Sequence, residues 1–223
     1  MDEQVFTRYN IAADNLIAHT CRYLIGFMSI VEIASLLHIF VINQRVMGWM
    51  TVLSCLGFAL PTILFSVFKR HTNLTRYLVL FVLALTPGVL YSFLSYHVIL
   101  MFILPVLIAC LYNERKFAIY TTVISLPIIV LSHFVAFYLH IVPDEPLTTL
   151  HGVLFYGILP RTLEFLACSL FCIQASGKTR RLIREILDHL HRQEQQRKNL
   201  QEIINFSSQM VACTDYKNLL KLS

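Results

Sequence analysis

The chain has 223 residues, of which 57% are apolar and 14% charged, with a formal net charge of +5. Soluble domains hold roughly 45–50% apolar and about 25% charged residues, and disordered chains need low hydrophobicity with high net charge, so both classes are excluded. What remains is an all-α fold, an integral membrane six-helix bundle with a cytoplasmic C-terminal helix, because lipid-facing helices need no polar outer face.

Residues 1–20 come first. Phe6, Tyr9, Ala13, Leu16 and Ile17 recur at helical spacing, with Asp2, Glu3, Arg8 and Asp14 elsewhere. This pattern predicts a cytoplasmic amphipathic leader on the inner membrane surface, the alternative being a frayed end. No small-residue cleavage pattern follows, so the first apolar helix is expected to stay in the mature chain.

Residues 21–173 form the predicted membrane domain. About 20 apolar residues cross a bilayer, which places spans at Cys21–Ile42, Val46–Phe68, Tyr77–Ser95, Tyr96–Tyr112, Phe117–His140 and His151–Ile173. The fourth is short, and five spans with a re-entrant segment is the alternative. Orientation follows from Lys and Arg, which stay on the cytoplasmic side. With the N-terminus inside, the inner flanks hold Arg8, Arg22, Lys69, Arg70, Arg76, Arg115, Lys116, Lys178, Arg180, Arg181 and Arg184, and the outer flanks only Arg45. That bias requires an even number of spans, with both termini cytoplasmic.

Charges within these spans are costly, at least about 2.5–3.5 kcal/mol at a helix centre, and so are functional candidates. They are Glu32 in the first span and Arg161 and Glu164, three residues apart, in the sixth. An Arg161–Glu164 pair or an interhelical Arg161–Glu32 pair would relieve the desolvation. Pro61, Pro87, Pro105, Pro127 and Pro160 put one proline in each of spans two to six. Each removes a helical hydrogen bond, and kinks there could shape a central pocket, with Pro160 presenting Arg161 at its wall.

Five histidines map to the outer half: His38, His97, His133, His140 and His151. Imidazoles titrate near neutrality and ligate metals, so an outer pH- or metal-sensing group is one reading, and helix-end histidines are the plainer one. No metal is assigned. Cys21, Cys55, Cys110, Cys168 and Cys172 lie in or beside apolar stretches and read as reduced packing residues. No phosphate-binding loop, nucleophile elbow, dinucleotide fingerprint or zincin motif occurs, so no cofactor and no catalytic residue is assigned.

From 174 the composition changes. Residues 174–206 carry seven of the chain's eighteen Lys/Arg, from Lys178 to Lys198, and no proline. Ile183, Leu187, Leu190, Glu194, Arg197, Gln201 and Ile204 alternate at 4-3 spacing, a heptad seam polar in its middle and suited to shifting between pairings; a solvated helix is the alternative. The basic residues lack interleaved aromatics, which favours acidic lipid over nucleic acid.

Within Leu200–Met210 and then Thr214-Asp215-Tyr216-Lys217-Asn218-Leu219-Leu220, the chain resembles the linker helix and opening turn of a GAF-type module, so 207–223 reads as the start of a truncated cytoplasmic module. With six spans and a basic exit helix, the architecture resembles the N-terminal sensor region of bacterial histidine kinases, diguanylate cyclases or PP2C-type phosphatases. The resemblance implies an inner-membrane sensor, a homodimer through the C-terminal helix, and an output domain or partner in the cytoplasm. The alternative is a small transporter or channel using the intramembrane charges.

Overall fold

A computed structural model describes residues 2–39, 44–94, 100–139 and 147–222, with side chains described from 7 to 208 within those ranges. Helix α1 is Asp2–Leu36; α2 is Gln44–Thr62 and runs into a π-helical turn, Ile63–Val67; α3 is Asn73–Leu94; α4 is Leu104–Cys110; α5 is Arg115–Tyr138. A short α6, Leu150–Gly152, continues through a π-helical segment, Val153–Ile158, into α7, Leu159–Leu222. Among the described residues there is no strand. The chain divides into two units, Met1–Gly177 and Lys178–Ser223.

Among the described residues, five stretches are long and apolar enough to cross a membrane: Thr7–Leu36, Gln44–Val67, Asn73–Leu94, Arg115–Tyr138 and a part of Leu150–Ser208. The fourth expected span is represented by the shorter apolar helical stretch Leu100–Cys110. Its eleven described residues rise about 16 Å as a helix, against about 30 Å of hydrocarbon, and residues 96–99 of the expected span lie outside the described residues. Its contacts nevertheless make it a return leg. Phe102 packs on Tyr91 near the far end of α3, with ring centroids 5.5 Å apart, while the Tyr112 hydroxyl reaches Asp14 near the start of α1. The starts of α1, α3 and α5 therefore lie at one end of the bundle. Gly177 joins them, since the Arg115 guanidinium lies directly against its Cα and leaves no room for a side chain.

The expected leader and first span are one helix. Nothing between Asp2 and Leu36 interrupts it, neither proline nor a helix-ending glycine, and Ala13, Asp14, Ile17 and Ala18 are buried at 0–5% exposure. The helix therefore packs into the bundle well before residue 21. The same continuity holds in α7, where the expected boundary at 206/207 has no break in the helix. Elsewhere the helices end on residues in the left-handed region, His38, Lys69 and Asn113 at φ of 56°, 48° and 50°, which terminate α1, the α2 π turn and α4.

Proline acts unevenly. Of the two π-helical segments, the first starts two residues after Pro61 and the second ends two residues before Pro160, and only Pro160's missing N–H would have returned into its segment; Pro87 and Pro127 sit inside α3 and α5 without ending them and Pro105 occupies the first turn of α4. Helix α3 is the most enclosed of the five long helices. One core layer gathers Ile17, Cys21, Phe58, Phe65, Leu80, Leu83, Tyr112 and Phe117 around it; a second gathers Tyr91, Phe102, Val106, Ile129, Phe165 and Cys172. Large apolar side chains such as Tyr23, Phe27, Ile30, Leu56 and Leu74 stay exposed.

Candidate functional site

The three expected intramembrane charges separate into two places. Glu32 lies one turn from the end of α1 rather than at a span centre, and its Oε2 accepts a 2.8 Å hydrogen bond from Thr51 Oγ1 on α2. Gly48 on α2 faces the same carboxylate. Arg161 Nη1 donates to Glu164 Oε2 at 3.1 Å, so of the two pairings open in the sequence the internal one forms, and Glu32 takes a hydroxyl instead. The pair is half-exposed, with side-chain exposures of 36% and 64%. The apolar groove of about 260 Å³ between α2 and α3, lined by Leu53, Leu60, Val82, Leu85 and Val89, includes neither Arg161 nor Pro160.

The five histidines also separate. His97 and His140 lie outside the described residues, as does the acidic loop around Asp144. His38 is exposed at the end of α1, and His151 is exposed and stacks on Phe155. His133 alone among the three is buried, at 4% exposure. Its Nδ1 lies 2.7 Å from the Ile129 carbonyl, its ring is 4.3 Å from Tyr91, and Gly157 of the π-helical segment packs against its Cδ2. Arg161 is within electrostatic reach. No group of three potential metal ligands occurs among the described residues. Cys110 and Cys172 are neighbours, the Cys110 thiol donating to the Cys172 carbonyl at 3.4 Å.

At the other end of the bundle is a cluster that periodicity did not reveal. Asp14 has no exposure and is bound on both oxygens. Arg76 Nε donates to Oδ1 at 3.0 Å and Nη2 to Oδ2 at 2.9 Å; the Tyr112 hydroxyl donates to Oδ1 at 2.8 Å, and His71 Nδ1 lies 3.0 Å from Oδ2. Arg76 is itself held by Asn73 Oδ1 at 3.0 Å and lies over the Tyr112 ring. His71 stacks on Phe65. Burial, then the Asp14 carboxylate and its hydrogen bond, pushes the Tyr112 phenol, in the turn after α4, above its ordinary value. Around this cluster Glu114 pairs with Lys116 at 2.7 Å, and Asn113 donates to the Tyr9 hydroxyl, which donates to the Leu111 carbonyl. A two-pronged guanidinium, a phenol and an imidazole thus saturate one buried carboxylate, and three separate stretches of chain are tied together by it.

Comparison with known proteins finds no matching family model, no matching curated protein and no matching solved structure. The functional reading therefore rests on the residues alone.

The signal for the missed cluster is faint but physical. Asp14 stands four residues before Ala18 and seven before Cys21, on the stripe that becomes buried, and Arg76 stands inside the apolar run from Leu74 to Leu80 at the same end of the bundle. Reading Asp14 as polar-face decoration and Arg76 as a topology charge hid their pairing. In the C-terminal unit the expected seam is helical throughout; Leu190 and Ile204 are 54% and 64% exposed, and Arg197 is exposed, while Ile183 and Leu187 are half-buried.

Proposed function

We propose that this chain is the membrane-embedded sensor region of a bacterial inner-membrane signalling protein. It couples a stimulus in the outer half of the bundle to a cytoplasmic output through α7, in a homodimer paired along Ile183, Leu187, Leu190, Arg197 and Ile204, with both termini cytoplasmic. The observation that carries this reading is the continuity of α7. One helix begins at Leu159, carries the Arg161–Glu164 pair in its first two turns, and remains helical to Leu222 beyond the apolar stretch.

The two ends of the bundle support it in different ways. The Asp14 cluster fastens α1, α3 and the α4–α5 turn, which makes a frame. The start of α7 is held by a π-helical segment and a half-exposed ion pair, both weaker constraints, so displacement falls on α7. A helix that moves as a unit then delivers the movement to whatever follows it.

The test fuses a reporter output domain after Leu200. Alanines are inserted singly, from one to four, after Lys178. Each turns the downstream helix by about 100°, so output is expected to vary with helical phase and to return near the fourth insertion. Arg161→Gln and Glu164→Gln are expected to shift basal output. Output indifferent to phase and to both substitutions overturns the proposal.

A further inference from the structure

Arg22 has no carboxylate to face. Helix α1 is already packed at Ala13 and Asp14, so Arg22 stands about 12 Å further along the helix than the Asp14 cluster. It lies on an exposed stripe of α1 with His19, Tyr23, Gly26, Phe27 and Ile30. Its Nη2 donates to Ser66 Oγ at 2.7 Å, in the π-helical turn that follows α2. Thr62 Oγ1 donates to the Ala18 carbonyl, which sets the two helices level at that point. Ser66 lies one turn past Thr62 toward the Asp14 end, so the Arg22 side chain bends back in that direction.

A serine hydroxyl holds the guanidinium but leaves its charge in place. The carboxylates among the described side chains of the first unit are Asp14, Glu32, Glu114 and Glu164. Asp14 is saturated by Arg76, Tyr112 and His71, Glu114 pairs with Lys116, Glu164 pairs with Arg161, and Glu32 bonds to Thr51 near the far end of α1. None of them reaches Arg22. A guanidinium has further N–H donors in the same plane as the one given to Ser66, and the Ser66 hydroxyl, accepting from Arg22, has its own hydrogen to give. Lys69 and Arg70, both exposed in the residues after the π-helical turn, add charge of the same sign.

We propose that Arg22 and Ser66 seat the phosphate of an anionic phospholipid of the inner leaflet, with an acyl chain running outward over Gly26 beside Tyr23, Phe27 and Ile30. The proposal rests on the membrane-embedded reading of the chain and on its orientation, and not on a signalling role. A phosphodiester has two unesterified oxygens, which match the parallel N–H donors of a guanidinium, and the Ser66 hydroxyl adds a third donor. Position decides the source of the phosphate. Free phosphate stays in water, whereas this guanidinium rises from a stripe of exposed apolar side chains and reaches back to the inner end, the level of lipid headgroups. Gly26, one turn from Arg22, has open space where a side chain would begin, which leaves a notch between Tyr23 and the apolar side chains beyond it. Charge decides the class of lipid. With Arg22, Lys69 and Arg70 exposed together near this end and no described carboxylate free to answer them, a headgroup of net negative charge is favoured over a zwitterionic one, whose ammonium meets cations. The seated phosphate supplies the counter-charge that the fold withholds, and through Arg22 and Ser66 it bridges α1 to the end of α2.

The test puts the chain's single indole beside Arg22. The full chain carrying Trp49→Phe and Tyr23→Trp is reconstituted in lipid nanodiscs, and its fluorescence is quenched by lipids with brominated acyl chains, either phosphatidylglycerol or phosphatidylcholine. The anionic lipid is expected to be favoured about fivefold at this position, the scale of one basic residue at an anionic headgroup. Arg22→Gln is expected to abolish the preference, Ser66→Ala to lower it, and Arg22→Lys, which keeps the charge but not the planar fork, to retain part of it. In the parent chain Trp49, near the opposite end, is expected to show no preference. Equal quenching of the new indole by both lipids overturns the seat alone, whereas quenching by neither overturns the membrane reading of α1 and the seat with it. A preference that survives Arg22→Gln but is lost in Lys69→Gln/Arg70→Gln overturns the seat in favour of general surface charge. A preference abolished by inorganic phosphate, at constant ionic strength, overturns the lipid as its occupant in favour of a free anion.

Discussion

Asp14 and Arg76 are the residues whose loss should be felt most. A buried pair broken on one side leaves an uncompensated charge, at a cost of about 3–5 kcal/mol. Asp14→Asn and Arg76→Met are each expected to destabilise the chain by that order, because Arg76 is 5% exposed and Asp14 not at all. The double variant Asp14→Leu/Arg76→Met should lose less than the sum, with a coupling of about 1–3 kcal/mol. Unfolding in mixed micelles of rising detergent fraction, followed by the fluorescence of Trp49, measures all three. Additive losses would show that the two groups act separately. This cluster was illegible in the sequence because the partners of Asp14 stand 57, 62 and 98 residues away, and helical periodicity compares positions within a few turns. Glu32, Arg161, Glu164 and His133 were legible as candidates because each is an ionisable group inside a long apolar run. Which of them meet was not.

Among elements, the apolar helices were readable because about 20 apolar residues in succession have one low-energy form in a bilayer. The extent of α4 was not readable, since Tyr96–Tyr112 carries no Asp, Glu, Lys or Arg and hydropathy has no means of marking where a helix starts within such a run. The five prolines showed the same limit. Their chemistry is alike, but only Pro61 and Pro160 adjoin a widened turn, and the neighbouring packing decides which backbone yields. Pro160→Ala restores an N–H to that turn. The expected result is closure of Val153–Ile158 toward α-helical register and slower amide hydrogen exchange over residues 153–164. The slowing should be about one to two orders of magnitude, given the roughly 3 kcal/mol proline penalty in a helix interior. Unchanged exchange would assign the widening to the Gly157 contact with His133 instead.

For the molecule as a whole, the ends of the helices make a labelling pattern. Lys69 and Lys116 are exposed near the end that holds the Asp14 cluster, whereas Arg45 opens α2 at the other. Single cysteines at those three positions, in an otherwise cysteine-free chain, are expected to react with an impermeant maleimide from opposite sides: residues 69 and 116 in inside-out vesicles, residue 45 in intact cells. Residue 116 labelling together with residue 45 would show that α4 does not bring the chain back.

The Asp14 cluster also has a consequence for how the protein is made. Synthesis delivers the carboxylate first and its guanidinium, imidazole and phenol much later, the last of them 98 residues on. Until α3 and the turn after α4 have emerged, the start of the first helix carries a charge that hydrocarbon rejects and has nothing to neutralise it. Its final seating must therefore be late, a step of assembly among helices rather than of insertion one by one.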